Sequence, residues 1–203
     1  MIPPLCFITD AQAPHGIVEQ SLAAARGGAG WVQLRHKSMP DDEFAMLGLL
    51  LIDLLAAEGV GLVINDRVEI AVSLGAAGLH VGQGDGDPVA IRQRIGPEMI
   101  LGLSVENAGQ LSAVPAGVDY LGVGPVRATA SKPDHAPPIG MAGLAAIAGA
   151  TRLPCLAIGG LGPGDLAAMR AAGAAGVAVV SAISRASDMQ AAARALAQEW
   201  ARA

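Results

Sequence analysis

Two aspartates, Asp66 and Asp85, each stand just past a short apolar run, in LVINDR (62–67) and GLHVGQGD (78–85). If those runs are neighbouring parallel strands, both carboxylates emerge at one end of one sheet. Two carboxylates about 4 Å apart repel by roughly 4 kcal/mol at an effective dielectric near 20, and a divalent cation between them turns that repulsion into a site. Arg35, Lys37, Arg67 and Lys132 all fall near expected strand ends. An acidic pair with a basic ring suits a Mg2+-bound polyphosphate. Helix capping is the competing reading, with Asp66 ahead of a helix beginning near Val68 and Asp85 or Asp87 ahead of one after Pro88.

Other residues share that end of the sheet. In QLRHK (33–37) the side chains alternate, so Gln33 and Arg35 share a face and Lys37 follows as the chain leaves the strand. Two cations beside an amide that both donates and accepts suit a diphosphate carrying a heterocycle, or else form a surface salt-bridge cluster. The glycines of IGGL (158–161) and the serine of VSAIS (180–184) offer backbone N–H groups for a phosphomonoester. Lys132, with Thr129 and Ser131, lies on a Pro-rich connection over 124–141 that reads as a mobile active-site loop or as a solvated insertion. His80 reads as a packed or hydrogen-bonded mid-strand residue, and His15, His36 and His135 as loop residues; no zinc or Ser–His–Asp pattern is present. Two phosphate places and a metal place imply two phosphorylated ligands: a diphosphate that leaves with Mg2+, and a monophosphate bearing the nucleophile.

The elements that must position these groups alternate regularly. Strands are expected over 5–9, 31–35, 62–64, 78–81, 100–104, 120–123, 155–158 and 177–180. Helices are expected over 17–26, 41–58, 163–172 and 189–200. Such alternation implies a parallel sheet with helical crossovers. A weak repeat places Gly28, Gly75, Gly117 and Gly173 at helix ends just ahead of strands two, four, six and eight. Eight units in one domain predict a closed (β/α)8 TIM barrel over 1–203, in preference to an open doubly wound sheet. Its active face is the C-terminal end of the strands, where the polar residues above fall.

Composition narrows the partners. A net charge of −5 argues against a nucleic-acid surface, so the basic residues act locally on small molecules. The chain is 52% hydrophobic but 2% aromatic, which predicts a core of Ala, Val, Leu and Ile. Cys6 and Cys155 lie in apolar runs without metal-ligand spacing and read as reduced core thiols. No signal peptide is expected, and the longest apolar stretch, 44–55, is broken by Asp53 and too short to span a bilayer. The expectation is a cytoplasmic protein without a membrane partner, and Ala-rich helices suggest a homodimer.

The motifs QLRHK, INDR (64–67), HVGQGD (80–85), GLS (102–104), GVGPVRATASK (122–132), AIGGL (157–161) and VVSAIS (179–184), in this order and spacing, resemble those of the thiamine phosphate synthase family over nearly the whole chain. That family joins a hydroxymethylpyrimidine diphosphate to a thiazole phosphate and releases diphosphate. The resemblance implies that Gln33 binds the pyrimidine, that Arg35, Lys37, Asn65 and Lys132 hold its diphosphate, and that Asp66 and Asp85 ligate Mg2+. It places Ser104 near the leaving group, and Thr129, Ser131, Gly160, Val180 and Ser181 around the thiazole phosphate. Arg35, Lys37, Ser104 and Lys132 are thereby the expected catalytic residues. Family members often carry an aromatic–Pro pair where this chain has Arg127-Ala128, and Thr9 and Asp10 receive no role. The rival readings are a thiazole tautomerase-like paralogue, whose histidine base is missing from Gly122-Val-Gly-Pro125, and a non-catalytic thiazole phosphate sensor, which would need neither aspartate.

Overall fold

The computed structural model describes residues 2–132 and 136–203, and it carries a strand at each of the eight expected places. In chain order the elements are β1 (Leu5–Ile8), α1 (Ile17–Arg26), β2 (Trp31–Leu34), α2 (Asp41–Ala56), β3 (Gly61–Asn65), α3 (Val68–Leu74), β4 (Gly78–Val81), α4 (Pro88–Ile95) and β5 (Ile100–Val105). A 3-10 turn, Ala108–Ala113, replaces a crossover helix before β6 (Tyr120–Val123). Then follow α5 (Gly140–Gly149), β7 (Cys155–Ile158), α6 (Leu166–Ala171), β8 (Gly176–Val179), the one-turn α7 (Ser181–Ser184) and α8 (Met189–Arg202). Each strand pairs in parallel with the next, and β8 pairs with β1, closing the barrel.

Strand alternation sorts the apolar side chains into two cores. Phe7, Val32, Leu34, Ile64, Leu79, Leu101, Leu103, Leu121 and Val179 point outward and meet the helices. Cys6, Ile8, Trp31, Val63, Tyr120, Leu156 and Ala178 point inward. The inner set is small, and its bulk sits low, where the Trp31 and Tyr120 rings lie 5.3 Å apart. Above them the interior is left to polar residues, which is where a ligand can enter.

Two helices are shorter than expected, each for a local reason. The α6 helix begins at Leu166 rather than Pro163 because Glu199 of α8 accepts the N–H groups of both Gly164 and Leu166, holding that stretch as a turn. The α2 helix ends at Ala56 because Gly59, at φ 72°, lets Val60 N–H turn back to the Leu55 carbonyl. Positive-φ glycines precede β3 and β5 as well, at Gly59 and Gly96. Glycine therefore marks most helix-to-strand junctions here, and the expected recurrence at every second unit is not kept.

Candidate active site

The floor of the barrel's C-terminal opening is a hydrogen-bonded chain. His80 on β4 faces Tyr120 on β6 through Nδ1 at 2.9 Å, and Ser104 on β5 through Nε2, also at 2.9 Å. Gly102 and Gly122 make room for the pair. A Cβ on Gly102 would lie 2.2 Å from the Tyr120 ring, and one on Gly122 would lie 2.9 Å from the His80 ring. Burial lowers the His80 pKa to about 4, only partly opposed by Asp85, so the imidazole is neutral at pH 7. Burial, with the nearby Cys6, raises the Tyr120 phenol well above 10, so it keeps its proton.

Above the floor opens a cavity of about 170 Å3. Gln33 enters it from β2 with only 4% of its surface exposed. Its side-chain amide has no hydrogen-bond partner among the described residues, and since none of their buried side-chain nitrogens or oxygens is left unpaired, that amide opens onto the cavity, where a ligand can pair with it. Arg35 follows two residues on. Its backbone is clamped by Thr9, whose hydroxyl accepts the Arg35 N–H at 2.9 Å and donates to the Arg35 carbonyl at 3.1 Å. Among the described residues the Arg35 guanidinium has no ion partner.

Lys37, beyond Arg35, donates to Asp66 Oδ2, which also accepts from the Asn65 amide at 2.9 Å. Asp66 takes a left-handed backbone, φ 56°, as the chain leaves β3. Asp85 lies in the loop after β4 and accepts the Gly82 N–H at 2.7 Å. Neither aspartate caps a helix; Asp87 does, accepting the Val89 N–H at the start of α4. Arg67 does not join the basic ring. Its guanidinium lies 4.1 Å over the Phe44 ring and donates to the His36 and Met39 carbonyls and to Asp41, so it fastens the loop after β2.

The opposite wall is made mainly of backbone and hydroxyls. Gly159 and Gly160, at φ 100° and 65°, follow β7, and Val180 and Ser181 follow β8. The glycines also seat the connection after β6, because Val126 N–H donates to the Ile158 carbonyl and Arg127 N–H to that of Gly159. A Cβ on Gly160 would lie 2.7 Å from the Ala128 carbonyl oxygen. Thr129, Ser131 and Lys132 reach the cavity from this connection, and Lys132 meets Glu106 at 3.5 Å. Arg127 pairs instead with Asp165 of the following loop, at 2.7 Å. His135 lies outside the described residues.

Twelve of the thirteen residues expected to bind substrate or metal thus line one cavity: Gln33, Arg35, Lys37, Asn65, Asp85, Ser104, Thr129, Ser131, Lys132, Gly160, Val180 and Ser181. Asp66 stands beside it, bonded to two of them. Sequence reasoning read His80 as a packed or hydrogen-bonded mid-strand residue, which it is, but missed its partner Tyr120 and the Thr9 clamp. A glycine in each of the adjacent strands β5 and β6, around the single tyrosine of the chain, was the available signal for the floor.

The arrangement has known counterparts. The family described as "Thiamine monophosphate synthase" matches residues 5–183. A thiamine-phosphate synthase of Laribacter hongkongensis is 45% identical over 194 residues, spanning 96% of this chain and 90% of that protein. One from a Roseiflexus species is 46% identical over 192 residues, spanning 93% of this chain and 81% of that protein. Among solved structures, the thiamine phosphate pyrophosphorylase of Pyrococcus furiosus superposes with a TM-score of 0.88 at 31% identity, covering 98% of this chain and 95% of that one. With the family matched over most of its length and relatives above 40% identity along nearly all of it, this chain belongs to the thiamine monophosphate synthase family.

Proposed function

We propose that the cavity joins a hydroxymethylpyrimidine diphosphate to a thiazole phosphate, giving thiamine phosphate and diphosphate. The observation that carries this reading is the unpartnered Gln33 amide beneath Arg35, Lys37 and Lys132. An amide that donates and accepts matches an aminopyrimidine edge, and the cations above it match the attached diphosphate. Across the cavity, Gly160, Val180, Ser181, Thr129 and Ser131 supply uncharged donors for the second phosphate.

Asp66 and Asp85 fit Mg2+. They are hard oxygen donors beyond neighbouring strands, and two carboxylates suffice when phosphate oxygens and water complete the shell. The Lys37 ammonium already rests on Asp66 as a stand-in cation. When bound, Mg2+ would neutralise charge on the diphosphate oxygens. Arg35, Lys37 and Lys132 then stabilise the negative charge growing on the leaving oxygen as the methylene C–O bond breaks and diphosphate takes the electron pair. The aminopyrimidine delocalises the positive charge left on the methylene, and the thiazole nitrogen donates its lone pair to form the new C–N bond. That nitrogen carries no proton to lose, so the step needs no general base. His80, neutral and engaged at both ring nitrogens, fits its position beneath such chemistry.

Diphosphate release, measured with both phosphorylated substrates in Mg2+ and in chelator, tests the reading. Mg2+-dependent release that requires the thiazole phosphate supports it, and its lack in the folded protein overturns it. Unpaired buried thiols at Cys6 and Cys155 support a cytoplasmic setting, and the exposed apolar residues Met46, Leu49 and Leu50 on α2 support a homodimer, which light scattering would test.

A further inference from the structure

The Ser104–His80 contact, 2.9 Å from Oγ to Nε2, has the length of a nucleophile–base pair. In such a pair the imidazole accepts the serine proton. The proton count here runs the other way. A neutral imidazole has one N–H and one bare nitrogen, and both His80 nitrogens are engaged. Tyr120 is 1% exposed, and among the described residues its hydroxyl has one hydrogen-bond partner, His80 Nδ1. If Nδ1 carried the proton, the buried phenol would have no acceptor for its own among the described residues, which is the expensive way to leave a polar group. With Nδ1 bare, every proton is used. Tyr120 donates to Nδ1, Nε2–H donates to Ser104 Oγ, and the serine proton is left pointing into the cavity.

We propose that Tyr120 and His80 are positioning residues whose one-way hydrogen-bond chain makes the Ser104 hydroxyl an obligate donor to the ligand. Burial agrees, since it keeps the imidazole neutral and the phenol protonated. The role also suits the surroundings: Arg35, Lys37 and Lys132 share this cavity and are donors only, so the ligand atoms among them carry lone pairs. Ser104 adds a neutral donor whose direction is fixed from below. Gly102 and Gly122 acquire a reason of their own, because a side chain at either would push the chain apart.

The test begins with the imidazole itself. Long-range 1H–15N spectra of the 15N-histidine-labelled wild-type protein should show His80 protonated at Nε2 and bare at Nδ1; a proton on Nδ1 overturns the proposal. Tyr120→Phe removes the reason for that tautomer. It should lower kcat about tenfold with KM for both substrates within about twofold, as expected for one lost donor. Ser104→Ala should cost a similar factor, and the double variant no more. Unchanged turnover in a folded Tyr120→Phe protein overturns the proposal, and the wild-type spectrum decides if that variant does not fold. The turnover arm rests on the proposed reaction. Lack of diphosphate release by the wild type would sink that reaction while the tautomer still reports on the chain of bonds.

Discussion

The two walls of the cavity recognise anions by different means. The wall after β2, β3 and β4 uses charged side chains, and its Lys37 is paired with the Asp66 carboxylate. The wall after β7 and β8 uses Gly159, Gly160, Val180 and Ser181, whose backbone conformation fixes the site and whose donors carry no formal charge. The difference matches what each wall must do. A leaving group that gains charge needs full cations and a metal, with ion pairs that exchange as the ligand arrives and departs. A phosphate that only anchors its molecule needs fixed donors of modest strength.

Removing the proposed metal ligand should break this contrast most visibly. Asp66→Ala should lower activity by at least about 100-fold, because it takes away a carboxylate for Mg2+ and frees Lys37 at once. The melting temperature should fall only modestly, since Lys37 is exposed and a pair open to solvent on one side contributes little to stability, while alanine at the left-handed φ of position 66 adds a small cost. Near wild-type turnover at saturating Mg2+ would remove Asp66 from the metal site. Lys132→Ala comes next, with turnover falling roughly 10- to 100-fold from one lost cation at the leaving group. Its long 3.5 Å contact with half-buried Glu106 gives little reason for a stability change, so a large drop in melting temperature would make the residue structural instead.

The other wall should respond in the opposite sense. Gly160→Ala meets both a φ of 65° and an Ala128 carbonyl 2.7 Å from the new Cβ. The expected loss is about 2 kcal/mol of stability, together with a raised KM for the thiazole phosphate and a nearly unchanged KM for the pyrimidine diphosphate. Equal changes in both KM values would mean that the two walls are not independent.

This asymmetry also explains what was legible in the sequence. Charged residues just beyond apolar runs announce themselves, and strand alternation put Gln33 and Arg35 on one face before any coordinates. The barrel was legible for the same reason, because eight short buried strands leave an apolar run each. Arg67 could not be sorted from Arg35 by position. Both follow strands, and only the Phe44 ring and two loop carbonyls decide that Arg67 serves the scaffold. Thr9 and Tyr120 stayed hidden because their partners lie 26 and 40 residues away, across strands whose register sequence alone does not set. Of the two alternatives offered for the cap after β4, Asp85 or Asp87, the structure takes Asp87, one residue ahead of Pro88, whereas Asp66 is turned left-handed toward Lys37 and caps nothing.

The smallest effect distinguishes the floor from both walls, and it is read in stability. Burial holds His80 neutral in the folded protein, with its pKa near 4 instead of the open-chain 6.5. As pH falls, the unfolded chain therefore takes up the proton first. The contribution of the neutral imidazole is whole above pH 6.5 and is lost progressively as pH drops from 6.5 towards 4. Because one edge of the ring faces the open cavity, the expected loss between pH 7 and pH 5 is only on the order of 1 kcal/mol. Denaturant unfolding at a series of pH values measures it, and His80→Asn should flatten that stretch of the profile. An equally steep profile in the variant would assign the slope to other groups.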